Sequence, residues 1–283
     1  METMTATNGT AAAPAVREVQ RPYDTTIRYT VNGSDDGPTF VFVHGFGCDR
    51  SDFEAIAGFL PVRYRVVAID LAEHGDSRSA REVWTIEEFA GDVAAVLTAE
   101  DVANVVVVVG HSLGGAVAVE TARILPDVVS RVITLDGLHY LSLYPAQDAA
   151  HARAVLQPFY DDFDGAVRGL VDGGSPPGTD PARKDAYFTK MSAVRQPAGL
   201  RSIEGLVHWD MDAALREVHQ PITLFAVRSL IGQEAIDRYR DRIDIRLVDL
   251  GSHHFHVESP ARTAELLDHV VSGQGAAGRK SSA

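Results

Sequence analysis

Residues 104–115 read Asn-Val-Val-Val-Val-Val-Gly-His-Ser-Leu-Gly-Gly. Five consecutive valines make a short apolar run, the signature of a strand buried on both faces. Gly110-His111-Ser112-Leu113-Gly114 follows directly and matches G-x-S-x-G, the nucleophile elbow. Ala116 to Leu125 is rich in good helix formers and is stopped by Pro126. Ser112 is therefore expected on a strand-turn-helix, with glycines where the sharp turn crowds its flanking elements. The pentapeptide alone is a weak signal; the strand before it and the helix after it make it a strong one.

Working outward, apolar strand patterns recur at 26–31, 39–43, 65–70, 131–136, 222–227 and 243–249. Helical patterns fall near 50–60, 85–99, 115–125, 233–241 and 261–271. Strands alternating with helices predict an α/β fold, a mostly parallel central sheet covered on both faces. The rhythm breaks between Gly137 and Gln220, where helical runs (148–155, 163–171, 180–194) flank the breaker Gly173-Gly174-Ser175-Pro176-Pro177-Gly178. Such a gap is far longer than an ordinary connection. The expectation is a core of 18–138 and 219–273 with an inserted helical cap, 139–218, over the active end of the sheet. Surface helices remote from the site are the alternative. Residues 1–17 and 274–283 are small and polar and are expected as disordered tails.

The 283 residues are 45% hydrophobic and 23% charged, which suits one large domain or a core with an insertion. A net charge of −13 argues against nucleic acid or an anionic membrane as partner. Cys48 is the only cysteine, so no internal disulfide can form. The N-terminus lacks a basic start and an apolar core, and no uncharged run approaches a membrane span. The expectation is a cytoplasmic monomer or homodimer acting on a small molecule, without a membrane.

A serine hydroxyl needs a base to take its proton, an acid to orient that base, and backbone N–H groups for the oxyanion. After the last strand the chain reads Leu250-Gly251-Ser252-His253-His254-Phe255-His256-Val257-Glu258-Ser259-Pro260. This resembles the α/β-hydrolase superfamily, whose members commonly end in G-H-x-x-x-x-E-x-P. Aligning Glu258 and Pro260 places the base at His253, with His254 the alternative and Ser252 where a glycine usually stands. A three-histidine metal site is set aside, because no carboxylate or cysteine lies at ligand spacing; no metal or cofactor is expected.

Most members carry the acid after the strand equivalent to 222–227. That loop has no early aspartate here, and Glu234 falls in the next helix. Asp136 ends the preceding strand, a position some branches use. It is the chosen acid, with Glu234 the alternative and a turn-capping role its plain structural reading. His139 is expected to pack near the site without a catalytic role. The resemblance further implies oxyanion donors at Leu113, after the nucleophile, and Phe46, in His44-Gly45-Phe46-Gly47. His44 is expected to be structural, bonding loop backbone, rather than a second base. Asp70-Leu71-Ala72-Glu73-His74-Gly75-Asp76-Ser77 is similar to the superfamily's D-x-x-G-x-G-x-S turn, with Glu73 replacing the first glycine.

The implied function is a serine hydrolase cleaving a small to medium ester, lactone or thioester through an acyl-enzyme. Cofactor-free haloperoxidase-like chemistry, C–C bond hydrolysis and a non-catalytic ligand receptor are the alternatives. Tyr140, Tyr144 and Trp209 are candidate substrate contacts; packing within the cap is their other reading.

Overall fold

A computed structural model describes residues 14–102 and 104–275. Its eight-stranded sheet has the order β1-β2-β4-β3-β5-β6-β7-β8. The strands are β1 (Val16–Arg21), β2 (Thr25–Gly33), β3 (Thr39–Val43), β4 (Arg65–Ile69), β5 (Val106–His111), β6 (Val129–Leu135), β7 (Ile222–Val227) and β8 (Ile243–Val248). Only the β1–β2 and β2–β4 pairs are antiparallel; every later pair is parallel. The α/β fold with a mostly parallel sheet is thus the observed one.

Strand periodicity explains the two-sided core. Val106 and Val108 pack into one hydrophobic cluster with Val41 and Val43, while Val107 and Val109 pack into another with Phe40 and Phe42. Parallel strands buried on both faces need helices above and below. These are α1 (Glu54–Phe59), after a 3-10 turn at Arg50–Phe53, α2 (Ile86–Ala99), α3 (Leu113–Ile124), α9 (Gln233–Tyr239), α10 (Phe255–Glu258) and α11 (Pro260–Gly275). The inserted segment holds α4 (Ala149–Asp161), α5 (Phe163–Gly173), α6 (Pro181–Ser192), α7 (Ala198–Val207) and α8 (Met211–Glu217). Among the described residues, no helix is long and apolar enough to cross a membrane.

Three expectations need correction. β1 begins at Val16, inside the stretch expected as a tail; the rest of that expected tail, apart from Pro14 and Ala15, lies outside the described residues. Its pairing with β2 and the Arg21 Nε bond to Asp92 Oδ1 (3.1 Å) hold it. The expected C-terminal tail likewise lies outside the described residues, except that α11 continues to Gly275. Finally, α8 ends the segment expected as cap but packs on α3 of the core.

Candidate active site

β5 runs two residues past the last valine, because Gly110 and His111 pair with Thr134 and Leu135 of β6. Ser112 then turns the chain with φ 52° and ψ −118°, a conformation that a residue bearing Cβ rarely adopts. The turn closes with Ser112 N–H donating to Leu135 O (3.2 Å) and Gly115 N–H donating to Ser112 O (2.9 Å). A Cβ on Gly110 would lie 1.9 Å from Gly114 O, and one on Gly114 would lie 2.2 Å from Val43 O. The elbow glycines are therefore demanded by contact, and α3 starts flush against the sheet.

The loop after β3 lies against this turn. A Cβ on Gly45 would come within 3.1 Å of Ser112 Cβ. Among the described residues, neither Phe46 N–H nor Leu113 N–H donates to a backbone carbonyl, which leaves both available to a ligand oxygen. His44 has both nitrogens committed: Nε2 accepts from Leu71 N–H (3.0 Å) and Nδ1 donates to Gly45 O (2.7 Å). Burial pushes its imidazole down to about 4.

Asp136 sits at the tip of β6 with φ 47° and is fully buried. His253 Nδ1 lies 2.7 Å from its Oδ2, and Tyr140 donates its phenol to the same oxygen at 2.7 Å. The other oxygen accepts Val227 N–H at 2.7 Å and faces His139 Nε2 at 3.0 Å. Burial by itself raises a carboxyl, but the bonds from His139 and His253 outweigh it and hold Asp136 well below the carboxylate range. Burial and the neighbouring charge push the Tyr140 phenol far up, so it acts as a donor. Glu234 lies exposed in the first turn of α9. The strand end where most relatives place the acid instead gives its Val227 N–H to Asp136.

The histidine loop is held from several sides. His253 N–H donates to Gly174 O of the inserted segment (2.8 Å), and His111 Nε2 donates to His253 O (3.0 Å). Glu258 anchors the loop's start, accepting Ser252 N–H (3.0 Å) and Ser252 Oγ–H (2.6 Å). That explains serine in the usual glycine position: its hydroxyl is a loop fastener. His254 is buried instead, its ring stacked on Tyr187 at 4.1 Å, and burial lowers its pKa well below the ordinary value. Sequence reasoning missed His111 as a support; its place inside the pentapeptide, beside the nucleophile, was the available signal.

Ser112, His253, His254, Phe46 and Tyr140 all line one cavity of about 730 Å³. This is within the usual range of small-molecule sites. Tyr144 and Trp209, expected as substrate contacts, do not line it. Trp209 is 2% exposed and donates Nε1–H to Glu120 Oε1 of α3 (2.7 Å), while Tyr144 packs edge-on against it at 5.7 Å. A buried indole needs an acceptor, and the acceptor belongs to the core, so this pair fastens the inserted segment down.

Glu73, the departure from the glycine turn, adopts φ 60°. Its carboxylate accepts Ser79 N–H (2.6 Å) and Arg195 Nε–H (2.8 Å). A strained backbone position thus carries an ion pair between the core and the segment after α6.

Ser112 at a strand-to-helix elbow, the His253 imidazole against the buried Asp136 carboxylate, and the backbone of the loop after β3 thus meet at one end of this sheet. The alpha/beta hydrolase family model matches residues 40–266, and the chain belongs to that family. It is similar to pimeloyl-(acyl-carrier protein) methyl ester esterase of Methylococcus capsulatus, 28% identical over 258 residues, 85% of this chain and 97% of that protein. It is also similar to 2-(acetamidomethylene)succinate hydrolase of Mesorhizobium japonicum, 26% identical over 262 residues, 87% of this chain and 92% of that protein. Among solved structures, a thermophilic esterase from Thermogutta terrifontis superposes with a TM-score of 0.76 at 19% identity, covering 92% of this chain and 98% of that one.

Proposed function

We propose that the protein is a serine hydrolase that cleaves a small to medium ester, lactone or thioester through an acyl-enzyme. The observation that carries this reading is one cavity lined by Ser112, at a left-handed elbow, and His253, paired with buried Asp136. His253 Nε2 takes the Ser112 proton as Oγ attacks the carbonyl carbon. The tetrahedral oxyanion is met by the N–H groups of Phe46 and Leu113. His253 then gives its proton to the leaving oxygen or sulfur. A water, deprotonated by the same imidazole, releases the acid and frees Ser112. Asp136 fixes the tautomer with Nδ1–H and stabilises the imidazolium formed in both halves. The relatives' names, an esterase and a hydrolase, favour ester chemistry over the haloperoxidase-like and C–C alternatives. Labelling the intact chain with a fluorophosphonate, with Ser112→Ala as control, tests the reading. Parent labelling that vanishes in the variant, with hydrolysis of p-nitrophenyl esters by the parent, supports it. Labelling that survives Ser112→Ala overturns it.

A further inference from the structure

Resting on the hydrolase reading, we infer that the substrate is a neutral ester with an extended apolar group, and that α5 is the wall along which this group lies. The cavity walls beyond Ser112 are apolar and come from four helices of the inserted segment: Val155 and Phe159 of α4, Leu170 of α5, Met191 of α6, Ile203 and Leu206 of α7. The charged residues lining it are Asp161 and Asp162; among the described residues no lysine or arginine does. Neither aspartate forms an ion pair with a described residue.

α5 gives the cavity a direction. Just past its C-terminal end, Gly174 O accepts the N–H of His253. A Cβ on Gly174 would lie 2.8 Å from His253 Cβ, so the helix end abuts the catalytic loop. Its N-terminal end is capped by Asp162, which accepts Gly165 N–H at 3.0 Å. Gly165, Gly169 and Gly173 are four residues apart, on one face, and all three line the cavity. At Gly169 and Gly173 an added Cβ would meet nothing within 4 Å. Glycine weakens a helix, and here it leaves space that a side chain would fill. The smooth face runs about 12 Å from Gly173 to Gly165, starting at His253 and ending beside Asp161 and Asp162. A chain whose carbonyl sits at Ser112 would point its far end at two unneutralised carboxylates. Both carboxylates are exposed, so an anionic far end would meet like charge that water screens, a weak repulsion.

The experiment measures kcat/KM for p-nitrophenyl esters from acetate to dodecanoate, and for dimethyl suberate against its monomethyl, mono-acid form. The expected result is a rise of about fourfold per methylene, then a plateau, and a preference of about threefold for the neutral diester. Gly169→Phe should cut the octanoate-to-acetate ratio tenfold or more, whereas Gly169→Ala should move it little. Asp162→Asn keeps the helix cap and should narrow the diester preference. A chain-length profile unchanged by Gly169→Phe, or a preference for the mono-acid, would overturn this inference while fluorophosphonate labelling of Ser112 stands. A parent that neither labels nor cleaves any ester overturns the hydrolase reading instead.

Discussion

Lowering the pH should unfold this protein through its buried histidines. His256 has its ring 4.1 Å from that of His111 and 5.4 Å from Phe53, and among the described residues neither of its buried nitrogens has a partner. Burial pushes its imidazole down to about 3, that of His74 to about 3 and that of His44 to about 4. An unfolded histidine titrates near about 6.5. The folded value lies below the unfolded one, so the unfolded chain binds more protons in between, and stability falls as pH drops below about 6.5. With a folded pKa near 3, each such site removes about 2 kcal/mol between about pH 7.5 and about pH 5. Three sites together remove about 6 kcal/mol, comparable with the whole stability of an ordinary domain. His111 and His254 act in the same direction. Buried Asp70 and Asp92, whose carboxyls are raised by burial, act against it. Urea unfolding followed by circular dichroism across this window should show the fall. His256→Met, which removes no protein hydrogen bond, should be less acid-sensitive by about 2 kcal/mol at about pH 5. A variant whose stability tracks the parent at every pH would refute the reasoning.

Ser112→Ala should lose on the order of 10⁵-fold in kcat, and His253→Ala should reach the same floor, since such groups act as a unit. His254→Ala should retain far more activity; steady-state hydrolysis of p-nitrophenyl acetate separates the two, and a dead His254→Ala would shift the base by one residue. Asp136→Asn should cost roughly 10³–10⁴-fold, and Glu234→Gln should be silent in the same assay. Tyr140→Phe removes a charge-assisted bond to Asp136 and should lower kcat roughly tenfold with KM for short esters unchanged; a change in KM alone would make Tyr140 only a wall of the cavity. Trp209→Phe should lower stability by about 1.5–3 kcal/mol, because Glu120 loses its indole donor, and should leave the chain-length profile of p-nitrophenyl esters unaltered.

What the sequence made legible follows from the range of the forces involved. β5 and its elbow could be read because the valine run, the glycines and the helix formers are contiguous in the chain. Asp136 could be singled out because one strand ends in aspartate and the later loop lacks one, and the fold places its Oδ2 2.7 Å from His253 Nδ1. β1 could not, since an edge strand is half exposed and Val16-Arg17-Glu18-Val19-Gln20-Arg21 carries little apolar alternation. α7 was missed because Gly199 and Gly205 look like breakers. A Cβ on Gly205 would lie 2.0 Å from Trp84 O, so that glycine serves close packing. Aromatic composition marked Tyr144 and Trp209 as interesting but could not say which side they face; Glu120, far earlier in the chain, decides that. Glu73 and Ser252 read as departures from a motif, and only the fold reveals their partners, Arg195 and Glu258.

The position of the acid changes what the inserted segment can be. From sequence, the segment is expected as a helical cap inserted over the active end of the sheet. Asp136 lies at the segment's root, and the next turn supplies His139 and Tyr140 as two of its four partners. Farther along, Gly174 O holds the backbone of His253. The segment therefore touches Asp136 at its start and His253 near its middle, while Arg195 ties its later part to Glu73 in the core. An acid after β7 would be free of these contacts. On the proposed mechanism, with Asp136 as the acid, displacement of α5 pulls on the loop carrying His253, so access and chemistry share the same hydrogen bonds. Replacing residues 139–218 by a short linker should consequently abolish turnover as well as specificity. Variants on the inner face of α5, such as Gly169→Phe, leave those bonds intact and are the ones able to separate substrate choice from catalysis.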